Sequence, residues 1–459
     1  MKSRFFGDKF FYKRIIALML PIMIQNGITN LVNMLDNIMV GQVGTTAMTG
    51  VAVSNQLLFV FNLCIFGAVS GAGIFGAQFF GSKDHEGVRY TFRFKLIFCI
   101  GLCLAGMAIL LFGGKGLINL YLSGESTGLD AAASQASGYE YLWIMLIGLV
   151  PYTIVQCYAS TLRETGHSVL PMIGGVAAVL INLTLNYILI FGHLGSPKLG
   201  VAGAAIATVI SRFVELFIVV IWVWIHKKEH PFIVGAYRSL YVPASLIRQI
   251  TLKGLPLMAN ETLWAAGIAT VNQLYSVRGL DVVAANNIAQ TFWNVFSVAF
   301  LAVGVAIGIV LGQMLGAGEE DEARLSAKRL LVFSVLLSIG VALCYALAAE
   351  FIPVAYNTTA EVRLLSTRLM QICALAMPLD ACANACYFTL RSGGKTLVTF
   401  LFDSVFVWVV QASVVAILVH CTDMPILPLF FISQMLNIIK AVTGIILVNK
   451  GIWVRNIIN

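Results

Sequence analysis

The sequence predicts an all-α polytopic membrane protein, with twelve transmembrane helices in two pseudo-symmetric six-helix lobes. Three observations predict it. The 459-residue chain is 59% hydrophobic and only 11% charged, with a mean hydropathy of +0.89; a soluble protein carries about 25% charged residues. The charges are clustered, and the apolar stretches between them reach the roughly 20 residues that a helix needs to cross a bilayer. The second half also repeats the first. "LPIMIQNGITN" at Leu20 returns as "LPLMANETLWA" at Leu255, an offset of 235 residues. Held without a gap, that offset pairs Asn37 with Asn272, Gly44 with Gly279, Gly73 with Gly308, Gln78 with Gln313, Gly81 with Gly316 and Arg89 with Arg324. Further on, "TLRETGH" at Thr161 pairs with "TLRSGGK" at Thr389, an offset of 228 that sets Arg212 on Lys440.

The first lobe, 1–226, opens on "MKSRFFGDKFFYKR". This reads as a basic, amphipathic lead-in and not as a cleavable signal peptide. Span 14–40 holds Pro21, which can bend it, and Asp36. Span 51–80 holds Gly67, Gly71 and Gly73, which permit close helix packing. Spans 93–113 and 138–162 follow, then 168–192 with Asn182 and Asn186, and 199–226 with Thr208, Arg212 and Glu215. The spacing of Arg212 and Glu215 predicts an internal i,i+3 pair. A basic cytoplasmic linker, 227–250, joins the halves.

The second lobe, 251–459, begins with span 251–277, which carries Pro256, Glu261 and Trp264. Span 283–315 carries Phe292, Trp293, Gly304 and Gly308; 328–350 follows, then 362–390 with Asp380. Span 396–419 has Asp403 near its cytoplasmic start, and 425–449 has Lys440 with no partner nearby in sequence. Six spans per repeat keep both halves in one orientation, related by an axis along the membrane normal. Two such bundles around a central cavity favour a transporter over a channel or an enzyme.

The basic residues orient the chain. Of the 29 Lys and Arg, 22 fall on the side of the N-terminus, 5 on the other side, and Arg212 and Lys440 within spans. The positive-inside rule then places both termini in the cytoplasm. The net charge of +8 therefore records topology and predicts no nucleic-acid partner. The nine Cys include no CxxC pair and read as small residues packing between helices.

With "LPIMIQN…LVNMLDNIMVGQVG", "LINLTLNYILIFG", "LGVAGAAIATVISR" and "TLRSGGK" in order, the chain resembles the multidrug and toxic compound extrusion (MATE) family, of the NorM and DinF-like kind. The resemblance implies export of organic, lipophilic cationic compounds across a cell membrane in exchange for protons or sodium ions. It implies no cofactor beyond that ion, small-molecule and bilayer partners, and a monomer. In archaeal and DinF-like members the Asp at the position of Asp36 binds the coupling ion. Its neighbours there correspond to Asn182, Asn186 and Thr208, with Ala204 one turn before Thr208. Residues four apart share a helix face, so both amides can point at one ion. Amide and hydroxyl oxygens with one carboxylate suit a hard cation such as sodium; they equally suit a protonated Asp36. Some members have a second Asp where this chain has Asn186, and its loss weakens a sodium site more than a proton site.

Asp380, eleven residues before Arg391, matches the tenth-span Asp of NorM-like members, which pairs there with a seventh-span Glu. Glu261 lies on the right helix about one turn away, Trp264 being nearer the matching position. Two adjacent carboxylates in low dielectric would make a proton carrier. Trp264, Phe292 and Trp293 could bind flat lipophilic cations through their ring faces. A charge at mid-membrane costs about 2.5–3.5 kcal/mol on insertion scales, and such groups as a rule face a cavity and have a function. The alternative is a flippase for a lipid-linked glycan, which would want a basic cavity; Arg212 and Lys440 favour it, and Asp36, Glu261 and Asp380 oppose it. An enzyme is not expected. His85, His167, His193, His226, His230 and His420 all lie in loops or at span edges, and there is no HExxH, GxSxG or phosphate-cradling glycine loop.

Overall fold

A computed structural model describes residues 6–122, 131–356 and 358–458, and no strand occurs among them. Lys2 and Arg4, counted above for topology, lie outside the described residues. The first half contains α1 (Lys9–Gly41), α2 (Thr45–Gly81), α3 (His85–Leu122), α4 (Ala131–Glu164), α5 (Val169–Phe191) and α6 (Gly200–Ile225). The second contains α7 (Ala244–Ser276), α8 (Leu280–Gly316), α9 (Glu320–Ala348), α10 (Ala360–Ser392), α11 (Thr396–Cys421) and α12 (Ile426–Asn449).

Each expected span matches one helix, and most helices run on past it. Hydropathy marks only the part that can sit in lipid, whereas i→i−4 hydrogen bonding continues into polar turns. Eleven of these helices are long and apolar enough to cross a membrane. The twelfth, α7, is 33 residues long, but Asn260, Glu261 and Thr262 interrupt its apolar run. Polar residues in the middle of a spanning helix mark a site.

The chain forms two compact units, one of Ile24–Gly76 and His85–Ile250, the other of the chain through Met23, Ala77–Asp84 and Thr251 onward. In the first, α4 packs on α3 and α6, and α5 on α6. Inside it, Lys95 is fully buried and donates to both carboxylate oxygens of Glu164 at 2.6 and 2.7 Å, and to Ser160 and Thr161. The linker is folded onto this unit. Arg93 donates to the carbonyls of Gly235, Ala236 and Tyr241, and the Tyr158 and Tyr237 hydroxyls meet at 2.6 Å.

In the second unit α10 packs against α8, α9 and α12, around a core that includes Phe300, Tyr345, Leu369, Met370 and Met377. The last turns of α2 belong to this unit and cross the last turns of α8. The crossing is reciprocal: a Cβ on Gly81 would strike the Gln313 carbonyl, and one on Gly316 would strike the Gln78 carbonyl. The repeated pattern of Gln followed three residues later by Gly thus has a shared purpose, since only glycine lets the two backbones come so close. Gln78 also ties down the C-terminal segment. Its amide donates to the Ser392 and Arg455 carbonyls and accepts from the Ile457 N–H at 2.9 Å. In that segment Trp453 is buried, 1% exposed, and its Nε1 donates to the Val448 carbonyl at 3.1 Å.

Candidate functional site

The first-half site is built by α1, α5 and α6. Asp36 stands five residues before the end of α1 and is half-buried. From α5, Asn186 Nδ2 donates to Asp36 Oδ1 at 2.7 Å and to Asn182 Oδ1 at 3.2 Å. From α6, Thr208 Oγ1 sits 3.1 Å from the Asn182 amide and donates to the Ala204 carbonyl at 3.0 Å. The structure therefore brings together Asp36, Asn182, Asn186 and Thr208. Ala204 offers only a carbonyl, which the threonine hydroxyl already uses.

Two orientations of the Asn182 amide are open. In one, Oδ1 faces the Asp36 carboxyl and Nδ2 donates to Thr208. In the other, Nδ2 donates to Asp36 Oδ2 at 2.9 Å and Oδ1 accepts from the Thr208 hydroxyl. In either orientation the Asn182 amide lies against the Asp36 carboxyl. Asn186 is 1% exposed and its Oδ1 has no hydrogen-bond partner among the described residues. No ion pair to Asp36 forms among the described residues.

The second-half acids are arranged differently from the expectation. Asp380 Oδ1 accepts from Asn437 Nδ2 of α12 at 2.8 Å, and Glu261 Oε1 accepts from the Tyr387 hydroxyl at 3.3 Å. Among the described residues no hydrogen bond joins Glu261 to Asp380; each carboxyl is met by a different neutral donor. The acid closest in connection to Glu261 is Asp403, held by Lys440 in an ion pair and by Asn260 Nδ2 at 3.0 Å. Asn260, Tyr387 and Asn437 were not singled out by sequence reasoning. The available signal was Asn260, which lies 235 residues after Gln25, in the repeat that also pairs the two prolines.

Arg212 forms no ion pair with Glu215. Its guanidinium lies 5.0 Å from the Tyr152 ring centre and donates to the Gly148 carbonyl at 3.2 Å. On α6 the two side chains can share a face, but the nearer α4 surface supplies arginine with a better-placed acceptor and ring. Trp264 is half-buried one turn from Glu261. Phe292 and Trp293 pack on the second unit's apolar core, with Phe292 edge-on to Tyr356 and Trp293 edge-on to Phe300. These two rings are engaged in packing and are not grouped with the acids.

Comparison with known proteins agrees with this plan. The MatE family model matches twice, over residues 21–188 and 256–419, once in each half. The chain is 26% identical over 420 residues to "Probable multidrug resistance protein NorM" of Thermotoga maritima, covering 89% of this chain and 85% of that one. It is 26% identical over 403 residues to "Multidrug resistance protein MdtK" of Pectobacterium atrosepticum, covering 86% and 85%. Among solved structures, an outward-facing MATE transporter of the MOP superfamily superposes with a TM-score of 0.86 at 20% identity, covering 97% of each chain. A MOP-superfamily transporter from Pyrococcus furiosus superposes at 0.83 and 19% identity, again covering 97% of each chain. With most of its length matched in two copies, and with long apolar helices to carry them through a bilayer, the chain belongs to the MatE family of multi-pass membrane transporters.

Proposed function

We propose that this protein is a secondary antiporter that exports organic, lipophilic cations in exchange for an inward-moving coupling ion. The observation that carries the reading is Asp36: a carboxyl within a membrane helix, met among the described residues by the neutral amides of Asn186 and Asn182 and by no cation. An acid without a resident counter-ion is left to a mobile one. Asn186 stands where some family members carry a second Asp, and one carboxylate among neutral amides suits a proton better than a sodium ion. Export then follows when binding of ion and of drug select opposite states of two alternating lobes, 1–226 and 251–459, joined by the linker 227–250. Both termini face the cytoplasm in this reading, and the working unit is the monomer in the plasma membrane.

The flippase alternative needs a cation free to meet a pyrophosphate. Arg212 is engaged with Tyr152 and Gly148, and Lys440 with Asp403. Neither is offered to an anionic head group. The test uses purified protein in liposomes with a fluorescent lipophilic cation, under a pH gradient and a sodium gradient imposed separately. Transport driven by the pH gradient alone is the expected result. Transport under neither gradient removes the antiport reading.

A further inference from the structure

The polar network of the second half joins four helices. Over Leu401–Val405 and again over Val407–Ala412, α11 winds as a π-helix, a wide turn that is rare and concentrated at functional sites. Asp403 lies in the first wide turn. Its Oδ1 is paired with Lys440 of α12, and its Oδ2 accepts from Asn260 of α7 at 3.0 Å. The second Nδ2 hydrogen of Asn260 points to the Tyr387 hydroxyl of α10 at 3.3 Å, and that hydroxyl donates to Glu261 at 3.3 Å. Asn260 is 1% exposed, and its Oδ1 is held by the Ser404 hydroxyl at 2.8 Å. A continuous chain of hydrogen bonds thus runs from Lys440 through Asp403, Asn260 and Tyr387 to Glu261. The other charged groups facing it are Asp380 and Arg391, both on α10.

The repeat shows that this ion pair is not demanded by the helical frame. At the offset of 228, Lys440 corresponds to Arg212, Asp380 to Tyr152, Asp403 to Gly175 and Arg391 to Arg163; at 235, Asn260 corresponds to Gln25. The first half keeps the amide, with Gln25 Oε1 accepting from Arg163 at 2.8 Å, and rests its in-span cation on a tyrosine ring. It has no acid at the equivalent of Asp403. Yet α5 and α6 pack there as a close pair. Even a partly buried ion pair costs desolvation, so Asp403 and Lys440 are kept for something besides packing.

We propose that Lys440 is the resident cation of the second half, permanently satisfying Asp403, so that Glu261 is left as the exchangeable acid and takes a proton and not an alkali-metal ion. Asp403 and Lys440 are positioning residues. Through Asn260 and Tyr387 they fix the donor that faces Glu261. The Lys440 ammonium occupies the place beside Asp403 that sodium would take. This inference rests on the ion-coupled export reading, and its test is chosen to stand apart from it.

The test compares the melting temperature of purified full-length protein in sodium chloride and in choline chloride at equal ionic strength. An Asp36→Asn background silences the first-half acid. Adding Lys440→Gln leaves Asp403 uncompensated and is expected to create a sodium-specific rise in melting temperature that the background lacks. Adding Lys440→Arg, or the neutral pair Asp403→Asn with Lys440→Gln, creates none. An equal response to sodium with and without Lys440→Gln overturns the proposal. Should Lys440→Gln fail to fold, the neutral pair in an otherwise native chain decides. The pH midpoint of its export is expected to move, and an unmoved pH profile overturns the proposal. Absence of gradient-driven export in the native chain would remove the export reading alone, because the sodium comparison needs no transport.

Discussion

In the proposed antiport, Asp36 is where a single side chain decides most. Its hydrogen-bond partners are neutral amides, which in that reading leaves its charge state free to change. Asp36→Asn keeps the size and the hydrogen bonds and removes the titration. It is expected to leave protein in the membrane and to lower gradient-driven export by more than about tenfold, an effect on the coupled step. Liposome transport with matched protein amounts checks it, and export at the native rate would sink the assignment. Asn186 is the complementary probe, because its Oδ1 is buried and unpartnered among the described residues. Asn186→Asp adds a second carboxylate beside the first, the donor set a hard cation prefers. It is expected to add a sodium dependence to export or to substrate binding, read by titrating sodium at fixed pH.

At the scale of elements, the linker behaves as part of a folded unit and not as a tether. Beyond the Arg93 clasp, the His230 ring meets the His167 ring edge-on at 4.6 Å and Phe232 at 6.2 Å. Burial, reinforced by His167 and His226 and opposed by Glu229, pushes His230 down from 6.5 to about 4. Burial lowers His167 as well. A histidine with a depressed folded value binds its proton more readily when undocked. Its contribution to docking is therefore complete above pH 6.5 and is lost as the pH falls from there towards 4. Proteolysis within the linker is expected to accelerate across that window in the native chain, and His230→Phe should flatten the dependence. The α2–α8 crossing makes a second prediction of this kind. Gly316→Leu drives a side chain into the Gln78 backbone and should destabilise the fold by about 1–3 kcal/mol, the usual cost of overpacking, read as a lowered melting temperature. Gly340→Leu, where a Cβ meets nothing within 4 Å, is the control.

At the scale of the whole molecule, the repeat is what makes transport plausible, and the crossing of α2 with α8 joins one helix from each half of the sequence. A Cβ on Gly312 would lie 3.0 Å from the Ala77 Cβ, within reach of a disulfide once the backbones give slightly. Ala77→Cys with Gly312→Cys, in a chain whose nine native cysteines are replaced, is expected to cross-link under oxidation and to arrest transport. Reduction should restore it. Cross-linking that leaves transport intact would show that these helix ends stay together throughout the cycle, and alternating access would then have to open elsewhere.

The twelve helices, their near boundaries and the two-fold repeat were legible in the sequence for one reason. In a bilayer the backbone must satisfy itself within each helix, so hydropathy alone selects the segments. The grouping of Asp36 with Asn182 and Asn186 was legible too, because Asn182 and Asn186 are four apart on one helix and Asp36 stands alone in an apolar run. What the sequence could not carry was pairing between distant segments. Lys440 looked unpartnered and Asp403 looked like an end residue, yet they meet across 37 residues. Glu261 and Asp380 looked like partners, yet one is met by Tyr387 and the other by Asn437. The same limit applied to Arg212, whose nearest acid in sequence lost to a carbonyl and a ring on another helix. Charge costs and helical period are local properties, written residue by residue. Which buried charge meets which donor depends on the rotation of each helix against its neighbours, and only the packed structure decides that.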